Sequence, residues 1–363
     1  MRNAIRDLVA QQEYPSVSIL MPTHRAHPET QQDPIRLKNL IEQARRRLEE
    51  EVGKRPSWPL MERLEGLAEE IDWRQNMEGL ALFANDNFST FERLPFTVDE
   101  RVSIDRNFET RALVTAFQRF PRYRVLTLAE QPSRLFEGEN TTLEEVEQYG
   151  FPLGFSGTPG ATRRPDGAMM QRSNIREAHL AEFYTEVDKA LTDAARAEEL
   201  PLVLVGAQAS LAAFDEVTAN AAQIIARVEG SHDEMNGAAI AEIVWPEVQG
   251  WLATQREAAV ESVGAALGAK RLASGIDDAW KSAVEGRGTE LVVEEGYRQP
   301  AMLQRDGYVL RLVGDDSTAD GPKHLDDAID ELVQLVLEKG GEITFVDDGA
   351  LADYARVALI LRY

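Results

Sequence analysis

The sequence predicts a chain of three α/β domains. Its 363 residues exceed one ordinary domain. Short runs rich in Val, Ile and Leu alternate throughout with longer stretches of helical period. Charge is also spread unevenly. It is net −3 over residues 1–120, −11 over 121–248 and −9 over 249–363, and these cuts mark the expected domain seams.

The first domain opens with a buried-type strand at 17–21 that stops at Pro22-Thr23-His24-Arg25. A helix is then expected with Asp33 as its N-cap and Pro34 at its first position, where the missing N–H costs nothing. Leu37, Leu40, Ile41, Ala44 and Leu48 give it one apolar face. A second helix is expected near 58–72. Strands at 79–84 and 88–91 follow, joined by Asn85-Asp86-Asn87, and a helix near 108–119 closes the domain.

In the second domain, 123–128 is expected to pair with 133–137 across Glu130-Gln131-Pro132. The Gly-, Pro- and Arg-rich stretch 154–171 has little periodicity and exceeds the length of ordinary loops in compact domains. A long helix over 174–197 and a fully buried strand over 201–206 complete the order β-β-loop-α-β-α, that of a mixed sheet covered by helices. The third domain is expected to start on an amphipathic helix capped by the Thr254-x-x-Glu257 box. Strands at 291–293, 308–313 and 343–346 and a last apolar run at 356–363 follow. Together with a helix over 325–338 ended by Gly340-Gly341 they read as an α/β/α sandwich.

Composition narrows the function classes. A net charge of −23 argues against general coating of nucleic acid and against residence on an anionic membrane. No apolar run approaches the ~20 residues of a membrane-spanning helix, and residues 1–7 carry no signal-peptide core. The absence of cysteine removes disulfides, thiolate nucleophiles and Cys-ligated metals, and fits a cytoplasmic protein.

Candidate chemistry is sparse. His24-x-x-His27 is the one close histidine pair, too few ligands for a zinc site, and no metal or cofactor is expected. The acidic pairs Asp315-Asp316, Asp326-Asp327 and Asp347-Asp348 lack the pattern of a Ca²⁺ loop and read as solvated. Neither a nucleophile-elbow nor a P-loop motif occurs. Two features remain. His24 and Arg25 directly follow a buried strand, where α/β proteins place ligand contacts, although a His there also serves as a turn brace. The segment 156–176 carries Arg163, Arg164, Arg172 and Arg176 against Asp166 alone, a local +3 in the most acidic domain. Such a loop suits phosphate, while the same composition also suits a solvated linker.

At this point the order of elements resembles a known family. Tyr123-Arg124-Val125-Leu126 through Arg134-Leu135-Phe136-Glu137-Gly138, the Gly/Arg loop, the long helix and Pro201-Leu202-Val203-Leu204-Val205-Gly206 look like the central domain of archaeo-eukaryotic class 1 peptide-chain release factors. The tail from Leu335-Val336-Leu337-Glu338-Lys339-Gly340-Gly341 to Leu361-Arg362-Tyr363 looks like their third domain. The opening Ser16-Val17-Ser18-Ile19-Leu20-Met21-Pro22-Thr23-His24 is similar to the bacterial archaeo-eukaryotic release factor (baeRF) families. The resemblance implies an RNase H-like central domain and a C-terminal domain resembling the kink-turn-binding ribosomal-protein fold. It further implies action on the ribosome or tRNA; from charge and composition neither membrane nor DNA is expected as partner.

In the classical factors a Gly-Gly-Gln at the loop tip helps water attack the ester joining peptide to tRNA. Here the nearest approach is Gly167-Ala168-Met169-Met170-Gln171, so the resemblance assigns the glutamine's role to Gln171 and the close backbone approach to Gly167. Arg163, Arg164, Arg172 and Arg176 would then be the binding residues, with His24 and Arg25 as a second contact. The Asn-Ile-Lys-Ser sequence of stop-codon contact is absent, so rescue or quality control is implied rather than codon-specific termination. Two alternatives stay open: a non-catalytic module binding ribosomes or a protein, and a small-molecule or nucleotide enzyme using His24. Oligomeric state is not legible.

Overall fold

The computed structural model describes residues 2–25, 28–155, 172–232, 235–304, 307–312, 324–325 and 327–363. The chain folds into two compact units, one from Met1–Arg119 with Arg256–Tyr363 and one from Phe120–Gln255. The α/β expectation is borne out in both.

The N-terminal part of the first unit contains α1 (Arg2–Val9), β1 (Ser16–Pro22), α2 (Asp33–Glu51), α3 (Lys54–Glu70), β2 (Gly79–Ala84), β3 (Ser89–Leu94), β4 (Arg101–Asp105) and α4 (Arg111–Arg119). Its four strands form an antiparallel sheet in the order β3-β2-β1-β4. Alternation decides which core each residue enters. Val17, Ile19 and Met21 pack with Leu37, Leu40 and Leu64 of the two long helices, whereas Leu20, Ala81 and Phe83 face the opposite side. The expected cap differs. Asp33 is the first helical residue and Gln32 precedes it without a side-chain bond. The Asp33 carboxylate instead accepts the backbone N–H of His24 at 2.9 Å, because the chain arriving from β1 turns back over the helix start.

The second unit holds β5 (Arg122–Leu128), β6 (Arg134–Glu139), β7 (Thr142–Glu145), α5 (Arg172–Ala197), β8 (Leu202–Gly206), α6 (Gln208–Asp215), β9 (Ile224–Glu229) and the start of α7 (Gly237–Gly268). The sheet order is β7-β6-β5-β8-β9: an antiparallel meander extended by two strands parallel to the first, the RNase H-like arrangement. Leu126, Leu128, Leu202 and Leu204 face α5 and α6, while Tyr123, Val125, Val203 and Val205 face α7. Gly138 admits the tight β6–β7 return, since a Cβ there would lie 1.9 Å from the Thr142 carbonyl oxygen.

The expected Thr254 capping box does not cap a helix. Thr254 lies inside α7 and its hydroxyl donates to the Gly250 carbonyl one turn earlier at 3.1 Å. Pro246 is likewise accommodated within this helix.

The C-terminal part of the first unit adds β10 (Leu272–Ser274), α8 (Ile276–Val284), β11 (Gly288–Glu294), β12 (Ala301–Leu303), β13 (Leu310–Leu312), β14 (His324–Leu325), α9 (Ala328–Glu338), β15 (Glu342–Val346) and β16 (Val357–Leu361). Its main sheet, β10-β16-β11-β15, packs Leu291, Val293, Leu359 and Phe345 against α8 and α9, and Val292 and Ala358 against Ala259 and Val263 of α7. The glycine stop of α9 is borne out. Gly340 adopts φ +73°, and the Gly341 N–H reaches the Val336 carbonyl at 2.9 Å. Residues far apart in sequence share one core here. Ile5, Leu8, Leu20 and Phe83 belong to the same cluster as Trp280, Ile329, Leu332 and Phe345. Each such fully buried side chain stabilises by roughly 1.5–3 kcal/mol relative to its exposed state.

Candidate functional site

Three places bear on function, and the sequence pointed to two of them. The first is the base of the arginine-bearing loop in the second unit. The chain leaves the sheet under firm anchorage: Leu153 and Ser133 form a bridge, and the Phe155 N–H donates to the Glu130 carbonyl at 2.8 Å. The Phe155 ring meets Phe183 of α5 edge-on, with centroids 5.7 Å apart. The chain re-enters regular structure at Arg172, the first residue of α5, and Arg176 stands four residues further along that helix. Gln171, Gly167, Arg163 and Arg164 lie outside the described residues.

The second place is the corner at His24 in the first unit. Asp33 is buried there and receives the His24 ring at Nδ1 (2.8 Å), the His24 backbone N–H (2.9 Å) and the Asn76 amide (3.0 Å). Arg36 lies 3.5 Å from the same carboxylate and binds Glu100 at 2.6 Å. With Nδ1–H donated to Asp33, the neutral ring keeps its lone pair on Nε2, the arrangement that orients a proton acceptor. Arg25 is exposed and stands 3.8 Å from Glu78. His24 and Arg25 are therefore neighbours of one braced corner, in a different unit from Arg172 and Arg176.

The third place was missed. β4, the segment leading into α4, and the first turn of α9 enclose a cavity of about 550 Å³. Arg111 is buried and donates to Asp327, one of the lining residues, at 3.0 Å and to the carbonyl of Glu295. Asp327 also caps α9, accepting the Ile329 N–H at 3.0 Å, and accepts the Gln299 N–H at 3.1 Å. This overturns the solvated reading of Asp327: two converging backbone donors and a guanidinium hold it inside. Glu109 lies 3.3 Å from Arg101 and 3.7 Å from Arg298. Burial raises its carboxyl above the usual range, against the pull of Arg101 and Arg298. Burial, reinforced by Glu109 and Asp327, raises Asp330 well above that range. The Oδ1 atom of Asp330 is buried and accepts no hydrogen bond among the described residues.

The only local signal for this site was the acidic start of α9, which reads equally as helix capping. Its other half comes from β4 and residues more than two hundred positions away. Among the described residues no three His, Asp or Glu side chains are placed to hold one metal ion, and no helix is long and apolar enough to cross a membrane.

The family described as "Bacterial archaeo-eukaryotic release factor family 3" matches residues 122–287, so the resemblance in sequence is borne out over that segment. No curated protein matches the chain. Among solved structures, the archaeal translation termination factor aRF1 is similar at 13% identity and TM-score 0.25, covering 100% of this chain and 97% of that one. Dom34 of S. cerevisiae, a translation termination-like factor involved in RNA quality control, is similar at 11% identity and TM-score 0.40, covering 79% and 74%. Archaeoglobus fulgidus Pelota is similar at 14% identity and TM-score 0.34, covering 100% and 92%.

Proposed function

Since residues 122–287 match bacterial archaeo-eukaryotic release factor family 3, we propose that this protein is a release-factor-like factor acting on the ribosome and peptidyl-tRNA in rescue or quality control. The family match carries this reading, and the strand order of the second unit supports it. The loop between β7 and α5 is the working element. Its arginines Arg163, Arg164, Arg172 and Arg176 meet phosphate, and Gln171 positions water against the ester while Gly167 lets the backbone approach.

The test is release of labelled peptide from peptidyl-tRNA in stalled ribosomes. Gln171→Ala is expected to slow release by on the order of 10²-fold while ribosome binding persists. Absence of binding to ribosomes, subunits and tRNA at low salt would remove the whole reading.

The missing Gly-Gly-Gln favours a second version, in which the loop binds without hydrolysis. There wild type releases nothing and Gln171→Ala changes nothing. In both versions, replacing Arg163 and Arg164 with glutamine is expected to weaken binding and to flatten the plot of log affinity against log salt by roughly 1.5, the share of two phosphate contacts. An unchanged slope would take these arginines out of the interface.

A further inference from the structure

We propose that the open edge of β9 in the second unit pairs with the same edge of a second copy of this chain, joining the two sheets into one. β9 is last in the order β7-β6-β5-β8-β9 and is paired on one side only. The Gly230 N–H donates to the Gly206 carbonyl at 3.0 Å, and Gly206 stands level with Glu229 in the parallel ladder. That phase turns the backbone polar groups of Val228 and Gly230 toward β8, and those of Arg227 and Glu229 away from it. Both outward residues are exposed, and no described residue hydrogen-bonds to the backbone of either. The inference does not rest on the release-factor reading, since it uses only the geometry of this strand.

The two edges of this sheet differ. β7 is only four residues long and ends on Glu144 and Glu145, features that discourage strand addition. β9 runs for six residues, with Ile224, Ile225 and Val228 β-branched and neither proline nor lysine to guard it. Such an edge is a template for another strand.

Charge selects both the partner and the register. Two identical edge strands joined about a two-fold axis run antiparallel. Centring the axis on Arg227 or on Glu229 sets like charges opposite each other, and centring it on Ile225 or Ala226 gives neither charge a partner. Centred on Val228, the edge is self-complementary. Arg227 of each copy then faces Glu229 of the other in a hydrogen-bonded pair, and Val228 faces Val228 between them. The Arg227 guanidinium serves there without leaving its own unit: Asp215 takes Nε at 2.9 Å and Nη2 at 2.8 Å, and no described residue takes Nη1. One strand pair buries less than the ~1,200–2,000 Å² of a stable complex, so the dimer is weak. The net charge of −11 over residues 121–248 opposes it at long range, so association tightens as salt rises from low to physiological.

Sedimentation velocity of the full chain over a wide concentration range tests this, with a reversible monomer–dimer equilibrium expected. Glu229→Arg alters an exposed side chain and sets it against Arg227, so it should weaken the dimer by on the order of tenfold. Cysteine variants read the register. The chain has no cysteine of its own, so a single introduced thiol joins only to another copy. In Val228→Cys the paired Cα atoms stand about 4.5 Å apart, within disulfide reach, and a mild oxidant should give a covalent dimer that reductant reverses. Glu229→Cys places its thiols diagonally, at a Cβ separation of about 7–8 Å, and should stay uncrosslinked. The proposal is overturned if wild type is monomeric at every concentration, if Glu229→Cys cross-links as fully as Val228→Cys, or if Glu229→Arg associates like wild type.

Discussion

Arg111→Ala is expected to destabilise the first unit by about 3–5 kcal/mol in chemical denaturation, the scale for removing one partner of a buried ion pair. Arg111 and Asp327 are 5% and 4% exposed in their side chains, so solvent screens little of the interaction. The guanidinium also donates to the Glu295 carbonyl and lies 5.5 Å from the centroid of the Phe345 ring. It thus ties α4, the end of β11, the start of α9 and β15 to one point. Its removal leaves Asp327, Glu109 and Asp330 facing one another without the central cation. The pH dependence follows. Carboxyls raised above their unfolded values carry a penalty that is complete above the folded pKa and vanishes below the unfolded one. The deficit of Arg111→Ala should therefore be largest at neutral to alkaline pH and shrink on acidification. Combining Arg111→Met with Asp327→Asn should recover part of the loss, because asparagine still caps α9 while the stranded charge is gone. A deficit below about 1 kcal/mol, the scale of an exposed pair, would show that Arg111 holds nothing together.

That cluster also explains what a linear reading reaches and what it does not. Strands whose residues are buried on both faces declare themselves, as with β1, β2 and β8. Gly340 declares the end of α9, because only a residue tolerating φ +73° serves there cheaply. β7 and β9 stay hidden: Thr142–Glu145 is charged, and Ile224–Glu229 has no fully buried residue to set an alternation. Thr254 misleads because its spacing to Glu257 imitates a capping box, although the helix began at Gly237. The loop arginines were legible as a local reversal of charge, since that property needs no fold. The cleft was not. Glu109 and Arg111 look like ordinary charges at a helix start until the fold sets Asp327 against them, and sequence spacing carries no trace of that meeting.

The corner at His24 bears directly on whether this histidine serves chemistry or support. Asp33→Ala is expected to cost about 2–4 kcal/mol, since it strands several donors around a buried acceptor and leaves a void. The His24 backbone N–H, the His24 ring and the Asn76 amide all converge on that fully buried carboxylate. Asp33→Asn keeps two acceptor lone pairs yet adds two donors, so it should fall between wild type and alanine. His24→Ala removes a ring that is 37% exposed and should cost distinctly less than Asp33→Ala. That ordering follows from a corner built on Asp33, in which His24 is one of several groups held in place. Denaturation midpoints of the three variants at one pH provide the comparison. If His24→Ala proved as damaging as Asp33→Ala, the ring itself would be the keystone, and its exposed face would have little freedom left for a ligand. If Asp33→Ala proved nearly neutral, the carboxylate would have no bracing duty. The Asp–His pair would then stand as an oriented proton acceptor, and the alternative of an enzyme using His24 would gain its first physical support.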